Sequence, residues 1–449
     1  MVTLFGGSEV KLPLLSIISA AALVAAVPDA VTPTFNRDVA PIMQQHCQQC
    51  HRAGEIAPMP LTNYKETRPF AAAIKEAVAL RKMPPWYADP RFGHFSNDIS
   101  LSAHDIEVLS AWAKNGAPEG DPKDLPPARQ FTEGWTIRKP DMVLRMPAPF
   151  HVPASGTIDY QYVLVPGKFT QDTWVQMVEV RPDNRAVLHH VIAFVRPPNS
   201  KWLAGIKPGV PYVPPKEESD MSDAEFLVGY APGMPPDAFP AGRAKLIRAG
   251  SDIVFQMHYT TNGHAGIDQT KIGMVFADPA SVKERVMTLA ATNDKFEIPA
   301  GDSNYQAESE FEFGASTRIV SLMPHMHLRG KDFEFKAIYP TGESQVLLRV
   351  PNYSFSWQLI YVPQGDITIP KGTKLHCTAH YDNSANNPFN PDPSKKISWG
   401  DQSWDEMMIG FFDVAFDKNM DVKELFPPEK DSKPVAAVKV PPLPLETAR

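Results

Sequence analysis

Two histidines separated by a single residue are the first feature of this sequence that could do chemistry. The stretch MPHMHLRG places His325 and His327 in a run that otherwise reads as a strand. Side chains at i and i+2 of a strand project from the same face, so both imidazoles would point together while Met326 points away. Two imidazoles on one face can share a metal ion. They could equally be polar residues on the solvated side of a surface strand, so the rest of the sequence is needed to choose between these two interpretations.

Three more histidines fall in comparable settings. AVLHHVIAF holds the adjacent pair His189 and His190, and DIVFQMHY holds His258. In the second run the apolar residues alternate onto one face and leave His258 on the other with Gln256. Adjacent residues leave opposite faces of a regular strand, so the backbone must bend if His189 and His190 are to bind one metal.

A methionine in WGDQSWDEMMIGFF could complete such a site. Met407 shares one face of the predicted strand with Ile409 and Phe411, and Met408 lies on the other face. A thioether is a soft ligand that favours Cu(I). Met407 could also be ordinary core filling.

The motif CQQCH predicts a second kind of metal centre. Cys47, Cys50 and His51 have the C-x-x-C-H spacing of covalent haem c, in which two thioethers hold the porphyrin and the histidine is an axial iron ligand. Half of a zinc site or a redox pair would need a second ligand pair or a thioredoxin-like βαβ pattern, and neither accompanies the motif. We predict Met83, on a proline-fixed loop after an Ala-rich helix at 68–82, as the other axial ligand, with Met59 as the alternative.

Composition and the N-terminus predict an exported protein of several domains. The chain has 449 residues, 43% of them hydrophobic, and a formal net charge of -7. Without a basic excess we expect no nucleic-acid partner. The apolar run at 12–27 is too short for a comfortable membrane span, so it predicts a signal peptide, with an uncleaved anchor as the alternative. We therefore expect a periplasmic protein, exported in the Gram-negative manner, with no stable membrane insertion after signal cleavage.

An internal repeat predicts the β architecture. IRAGSDIVFQMHYTTN at 247–262 aligns without a gap with IPKGTKLHCTAHYDNS at 369–384, and FHVPASG and FEIPAGD open the two halves. The repeat aligns His380 with His258, which makes His380 a relic of duplication, a neighbour of a metal ligand or an extra ligand. We expect a mainly β protein in which an α-helical domain, resembling a small fused cytochrome c, precedes two related antiparallel β-sandwich, jelly-roll-like domains. The predicted segments are a signal peptide at 1–30, a cytochrome c domain at 31–120, a linker at 121–139, β-sandwich domains at 140–285 and 286–417, and an extended Pro-rich tail at 418–449.

The ordered motifs HH, H-Y, H-x-H and D-E-M, spread over residues 140–415, resemble one known family. They resemble the copper type II, ascorbate-dependent monooxygenases, which include the peptidylglycine α-hydroxylating and dopamine β-monooxygenases. The resemblance implies two copper ions, one in each β-sandwich domain. It implies that the first copper is held by His189, His190 and His258, and the second by His325, His327 and Met407.

The resemblance also implies an oxidoreductase activity. Such enzymes insert one atom of O₂ into a C–H bond and reduce the other to water, with the second copper binding O₂ and the first storing an electron. We therefore expect a small-molecule substrate, O₂ and a periplasmic electron donor whose electrons pass through the fused haem. The alternatives are a non-catalytic haem and copper protein for electron transfer or copper binding, and a copper oxidase or dehydrogenase that sends electrons from substrate to haem.

The chain departs from the peptide-amidating members where they grip a substrate carboxylate. Their Arg before the H-x-H pair and their Asn and Tyr after the copper Met are replaced here by Met323, Ile409 and Phe411. A buried carboxylate without its Arg would be costly to bind, so a peptide ending in glycine is a poor substrate. An apolar pocket suits a neutral or aromatic molecule. The disulfide of the family beside the copper Met is missing, which leaves Cys377 unpaired.

Overall fold

The protein is mainly β, with its α-helices gathered in the first part of the described chain. A computed structural model describes residues 32–55, 57–132, 134–215 and 223–428. The predicted signal peptide at 1–30 and the tail from 429 onward lie outside these ranges. None of the helices within them combines the length and apolarity that a membrane crossing requires.

The helical part has its own hydrophobic core. Its α-helices are α1 (Ala40–Ile42), α2 (Tyr64–Thr67), α3 (Ala71–Ala79) and α4 (Ala103–Lys114), with further helical turns at Phe35–Val39, Met43–Cys47, Arg68–Phe70 and Pro122–Asp124. In α4, Leu109 and Trp112 are fully buried, as their helical spacing predicts. The Ser102 side chain caps α4, and Gly116, with φ of +83°, follows its end. The helix expected at 68–82 is shorter than predicted, because Arg68–Phe70 forms a tighter turn and α3 ends at Ala79.

The rest of the described chain is built from strands and the loops between them. The strands are β1 (Met142–Arg145), β2 (Phe150–Val152), β3 (Gln161–Val165), β4 (Thr173–Arg181), β5 (Leu188–Arg196), β6 (Glu225–Tyr230), β7 (Asp237–Ala238), β8 (Arg243–Ile247), β9 (Asp252–Tyr259), β10 (Gly266–Asp268), β11 (Lys271–Phe276), β12 (Glu284–Thr292), β13 (Glu297–Ile298), β14 (Tyr305–Glu312), β15 (Thr317–His325), β16 (Gly330–Ile338), β17 (Ser344–Val350), β18 (Ile367–Ile369), β19 (Lys374–Tyr381), β20 (Ile397–Ser398) and β21 (Ile409–Asp417).

One long sheet runs through both halves of the β part, and a smaller sheet covers each half. The long sheet has the order β1-β11-β4-β8-β12-β21-β15-β18, with β7 beside β4. The smaller sheets are β3-β9-β5-β6 and β14-β19-β16-β17, and each encloses a hydrophobic core against the long sheet. Neighbouring strands are antiparallel except β8 and β12, whose short parallel pairing joins the two halves.

The internal repeat is visible in the contacts. β9 and β19 are the aligned segments, and each lies second in its four-stranded sheet. Phe150 stacks on Tyr259 at 4.5 Å between ring centroids, and Phe296 stacks on Tyr381 at 5.5 Å. Aromatic pairs of this kind stabilise a core beyond their buried area. A Phe–Tyr stack therefore occupies the equivalent position in both halves.

A buried polar cluster ties the halves together at the parallel joint. The Lys245 ammonium donates to the Leu227 carbonyl at 2.8 Å and to the Thr288 hydroxyl at 3.3 Å. It lies 3.4 Å from an Asp237 oxygen and 3.8 Å from an Asp413 oxygen. Because an unpaired buried charge is costly, these contacts hold β8 against β12 and β21.

The predicted linker and the start of the predicted tail are both packed. Glu179 on β4 accepts backbone N–H bonds from Thr136 and Ile137 in the linker. Residues Val422–Leu425 form a helical turn, and Leu425 is fully buried in the core of the second half. The first residues of the tail therefore do not run free over the surface.

Candidate metal centre

His189, His190 and His258 meet at a bulge between two strands. In the β5–β9 ladder Leu188 lies opposite Tyr259 and His190 opposite His258, so His189 is an extra residue in β5. A bulge of this kind bends the strand and re-aims the extra side chain. The chain thus contains the bend that an adjacent pair needs in order to face one point.

The ring nitrogens of these three histidines converge. The Nδ1 atom of His190 lies 3.0 Å from that of His189 and 3.3 Å from that of His258. One ligand atom from each ring lies within 4.8 Å of the other two, which is close enough for one ion. Burial lowers the pKa of His189 to about 4, that of His258 to about 3, and that of His190 well below its usual value. Neutral imidazoles are the form that binds metals.

His325 and His327 project together from the end of β15. Their ring centroids are 5.3 Å apart, while Met326 between them is fully buried in the core of the second half. The Nδ1 atom of His325 lies 2.7 Å from the amide oxygen of Gln358, whose nitrogen faces the Phe355 carbonyl. Since that oxygen can only accept, we assign the proton to Nδ1, which leaves Nε2 of His325 with a free lone pair.

His327 is the more enclosed of the pair. Its side chain is 0% exposed, and within the described chain neither ring nitrogen has a well-formed hydrogen bond, although the backbone of Gln402 and Asp405 is near. Burial lowers the pKa of His325 to about 4 and that of His327 well below its usual value. An unsatisfied buried polar group costs about 1–3 kcal/mol of stability. A bound ion would give the His327 ring nitrogen the partner that the protein does not supply.

Met407 lies just before β21, the strand that pairs with β15. His325 pairs with Ile409 at the end of the β15–β21 ladder, and Met407 is two residues before Ile409, outside the strand. Met407 is half-buried, whereas Met408 is fully buried in the core. The two methionines thus have different surroundings, and strand alternation continued from Ile409 would place Met407, not Met408, on the side of His325.

Glu406 joins the histidine strand to the methionine, a role not predicted from the sequence. Its carboxyl group accepts hydrogen bonds from the backbone N–H groups of His327 at 2.8 Å and Arg329 at 2.6 Å. The side chain is fully buried, and this burial raises its pKa to about 8. Its position directly before Met407 was the available signal.

The two histidine groups lie close together. Besides burial, the pKa of His190 is lowered by neighbouring imidazoles of both groups, first His258 and His189 and then His325 and His327. The Phe355 ring contacts members of both groups. Phe355 and Gln358 come from the loop between β17 and β18, and no local sequence pattern links that loop to histidines far along the chain.

Apolar side chains occupy the face beside His325. Met323 lies opposite Phe411, and His325 lies opposite Ile409, so all four residues share one face. The three apolar residues are half-buried, and Phe411 packs against Phe226 at 5.9 Å between centroids. A molecule held beside His325 would therefore meet apolar groups from both halves.

His380 and Cys377 lie apart from the histidine groups. The His380 ring nitrogens are 2.7 Å from an Asp332 carboxylate oxygen and 3.2 Å from the Gln306 amide oxygen, on the outer face of the sheet. Cys377 is fully buried in the core of the second half. Both His380 ring nitrogens thus have polar partners, and the Cys377 thiol is enclosed in the hydrophobic core.

The C-x-x-C-H motif follows the first helical stretch. Cys47 ends the turn Met43–Cys47, and its thiol and that of Cys50 are free. Burial raises the pKa of Cys47 to about 12 and that of Cys50 in the same direction. The Nδ1 atom of His51 lies 3.1 Å from the Met59 carbonyl oxygen, so Nδ1 carries the proton and Nε2 is free to bind.

The two candidate methionines of the helical part have different surroundings. Met83 lines a cavity of about 740 Å³, while Cys50 lines another of about 530 Å³, and Trp86 forms part of both walls. Met59 packs against the helical core. The structure thus places Met83 and Cys50 on two neighbouring cavities rather than on one.

Comparison with known proteins identifies no family. No family model matches the chain, and no curated protein matches it. Solved structures that match include the infectious bursal disease virus VP2 subviral particle, at 10% identity and a TM-score of 0.17, covering 63% of this chain and 74% of that chain. Another is the N-terminal CBM22-1-CBM22-2 tandem domain of Paenibacillus barcinonensis Xyn10C, at 10% identity and a TM-score of 0.13, covering 61% of this chain and 93% of that chain. TM-scores this low carry no argument about function.

Proposed function

We propose that this protein is an exported copper-dependent monooxygenase, similar to the copper type II, ascorbate-dependent family, that hydroxylates a C–H bond of a small neutral or aromatic molecule. One observation carries the proposal. Two groups of neutral imidazoles lie close together, and Met407 directly follows Glu406, which accepts a hydrogen bond from the backbone of His327 in the second group. A structural zinc site would instead use four protein ligands in one closed shell.

The first copper would be held by His189, His190 and His258. Their Nδ1 atoms already converge at the β5 bulge, so binding requires little rearrangement of the strands. Imidazole ligands alone suit zinc as well as copper. This group therefore supports a metal site without choosing the metal.

The second copper would be held by Nε2 of His325, by His327 and by the thioether of Met407. A thioether ligand favours Cu(I) over zinc, so this group supports copper. The unsatisfied ring nitrogens of His327 support a bound ion at this position. Bound copper would supply one-electron redox chemistry and activation of O₂.

The protein's own residues would hold and shield this site. Gln358 keeps the proton on Nδ1 of His325, so that the ring presents Nε2. Glu406 fixes the backbone that carries His327. The apolar side chains of Met323 and Ile409 would exclude water beside His325 and receive an uncharged substrate.

A haem c on the helical part would deliver electrons from a periplasmic donor. Cys47 and Cys50 would form the thioethers, and Nε2 of His51 would be one axial ligand. Met83 remains our expected second axial ligand, with Met59 as the alternative. Haem c carries one electron at a time, which suits copper that changes oxidation state in single steps.

Metal analysis and product analysis together test the proposal. Protein exported from cells that make c-type cytochromes should contain one covalent haem and two coppers per chain. With a neutral aromatic substrate it should consume O₂ and place one labelled oxygen atom from O₂ in the product. Zinc alone, or one copper with every proposed ligand intact, would rule out the two-copper centre. Copper and haem that exchange electrons without oxygen insertion would indicate an electron-transfer protein instead.

A further inference from the structure

One aromatic ring, Phe355, lies between the two histidine groups. Its centroid is 5.1 Å from that of His189, with the rings nearly parallel at 19°, and 6.4 Å from that of His258. It is also 6.0 Å from the His327 ring, which it meets edge to face at 84°. The same side chain therefore contacts both proposed metal sites.

The loop that carries Phe355 is fastened to the second histidine group on both sides. The Tyr353 hydroxyl donates to the Met326 carbonyl at 2.8 Å and accepts from the Met326 N–H at 3.1 Å. Gln358 contacts His325 at 2.7 Å and donates to the Phe355 carbonyl at 3.4 Å. Since both anchors end at adjacent residues, His325 and Met326, the ring is held by the second group and reaches across to the first.

Phe355 covers the histidines that are least enclosed. His189 and His258 are half-buried, whereas the other three histidines of the two groups are buried. Phe355 is itself half-buried. A benzyl side chain has no lone pair, so it fills space without ligating a metal and displaces water that would otherwise hydrate the imidazoles.

We propose that Phe355 is a positioning residue that closes this centre to water and keeps the two metal-binding groups separate. The inference rests on the proposed two-copper function. A ring stacked on His189 blocks the rotation that would carry this imidazole toward His327 and merge the two groups. Separation matters because two cations repel strongly across a gap of low dielectric constant.

Chemical modification of the metal-free protein tests the cover directly. Phe355→Ala should speed the reaction of diethyl pyrocarbonate with His189 and His258 roughly tenfold, which corresponds to weakening the closed arrangement by about 1.4 kcal/mol. Phe355→Tyr, which keeps the ring, should react like the wild type. Phe389→Ala is the matched control, because Phe389 is 68% exposed and its loss uncovers little. Mass spectrometry after digestion assigns the modified residues.

The distance between two bound Cu(II) ions tests the spacing. Pulsed electron paramagnetic resonance should give one narrow distance distribution in the wild type and in Phe355→Tyr, and a broadened or shifted one in Phe355→Ala. Equal modification rates in all variants, together with unchanged distances, would overturn the role of Phe355. A wild type that binds no copper would overturn the proposed function, while the metal-free measurement would still decide whether Phe355 covers the histidines.

Discussion

Adjacent methionines have opposite surroundings, and this gives a test of the second copper site by single residues. Met407 lies just before β21 and is half-buried, whereas Met408 is fully buried in the core. Replacing Met407 by Ile keeps the bulk and removes the sulfur. We expect Cu(I) affinity at the second site to fall by a factor of about ten or more, with the haem spectrum unchanged. Competition with a Cu(I) chelator measures the affinity.

Met408→Leu is the matched control for this change. It alters a core position with a similar volume, so it should cost less than about 1.5 kcal/mol of stability and leave Cu(I) affinity unchanged. If Met408→Leu weakened copper binding and Met407→Ile did not, the thioether ligand would be the other methionine.

Glu406 should matter to copper although it does not touch the ion. Its two carboxyl oxygens each accept one backbone N–H bond, from His327 and from Arg329, and glutamine would replace one of these oxygens with an NH₂ group that can only donate. Glu406→Gln should lower copper affinity at the second site about 10- to 100-fold, the usual effect of losing a group that orients a ligand. Copper titration followed by calorimetry measures it. Glu308→Gln at an exposed position is the control, and equal losses in both variants would exclude a positioning role.

The two faces of β21 should respond differently when a side chain is truncated. Phe412 is buried in the core of the second half, whereas Phe411 is half-buried on the histidine face. Phe412→Ala should lower the free energy of unfolding by about 3–5 kcal/mol, the usual cost of removing a buried aromatic ring. Phe411→Ala should cost clearly less and instead weaken substrate binding. Denaturant unfolding of the metal-free protein measures the first effect, and a similar stability loss in both variants would contradict the face assignment.

Alternation along strands was enough to predict which side chains share a face. It placed the His325 and His327 imidazoles together and gave Met407 and Met408 different surroundings, because a strand has a fixed period of two. The bulge at His189 could only be stated as a requirement, since it depends on how β5 pairs with a distant strand. Gln358 and Phe355 could not be found, because their loop acquires its role only through contacts formed by the complete fold.

The helical part of the molecule contacts the strands that carry the first histidine group. Glu55, four residues after the histidine of the C-x-x-C-H motif, forms an ion pair with Arg185, which lies in the turn before β5. Cys50 and Tyr230 line the same cavity, and Tyr230 pairs with Val191 in the β5–β6 ladder. Val191 directly follows the histidine pair. A haem on Cys50 would therefore lie near the first copper site.

This contact predicts where electrons enter the copper centre. If reduced haem passes its electron to the first copper, the rate should depend on the ligands of that copper and on the Glu55–Arg185 ion pair. Stopped-flow absorbance at the haem bands, without O₂, follows reoxidation of the reduced haem by bound Cu(II). His189→Ala, which removes a ligand of the first copper, should leave the haem reduced for much longer than in the wild type.

Arg185→Ala should slow the same step by a smaller factor, because it loosens the helical part without removing a ligand. The Glu55–Arg185 ion pair crosses from the helical part to the strands, and other contacts, such as the hydrogen bond from Asn97 to the Ile360 carbonyl, remain when Arg185 is lost. Arg145→Ala breaks an exposed pair with Asp183 and should leave the rate unchanged. Equal rates in the wild type, in His189→Ala and in copper-free protein would rule out transfer through the first copper. A normal rate in Arg185→Ala, with a slow rate in His189→Ala, would still support electron transfer through the first copper but would place the docking contact elsewhere. A tethered donor remains at a high effective concentration whatever single contact is lost.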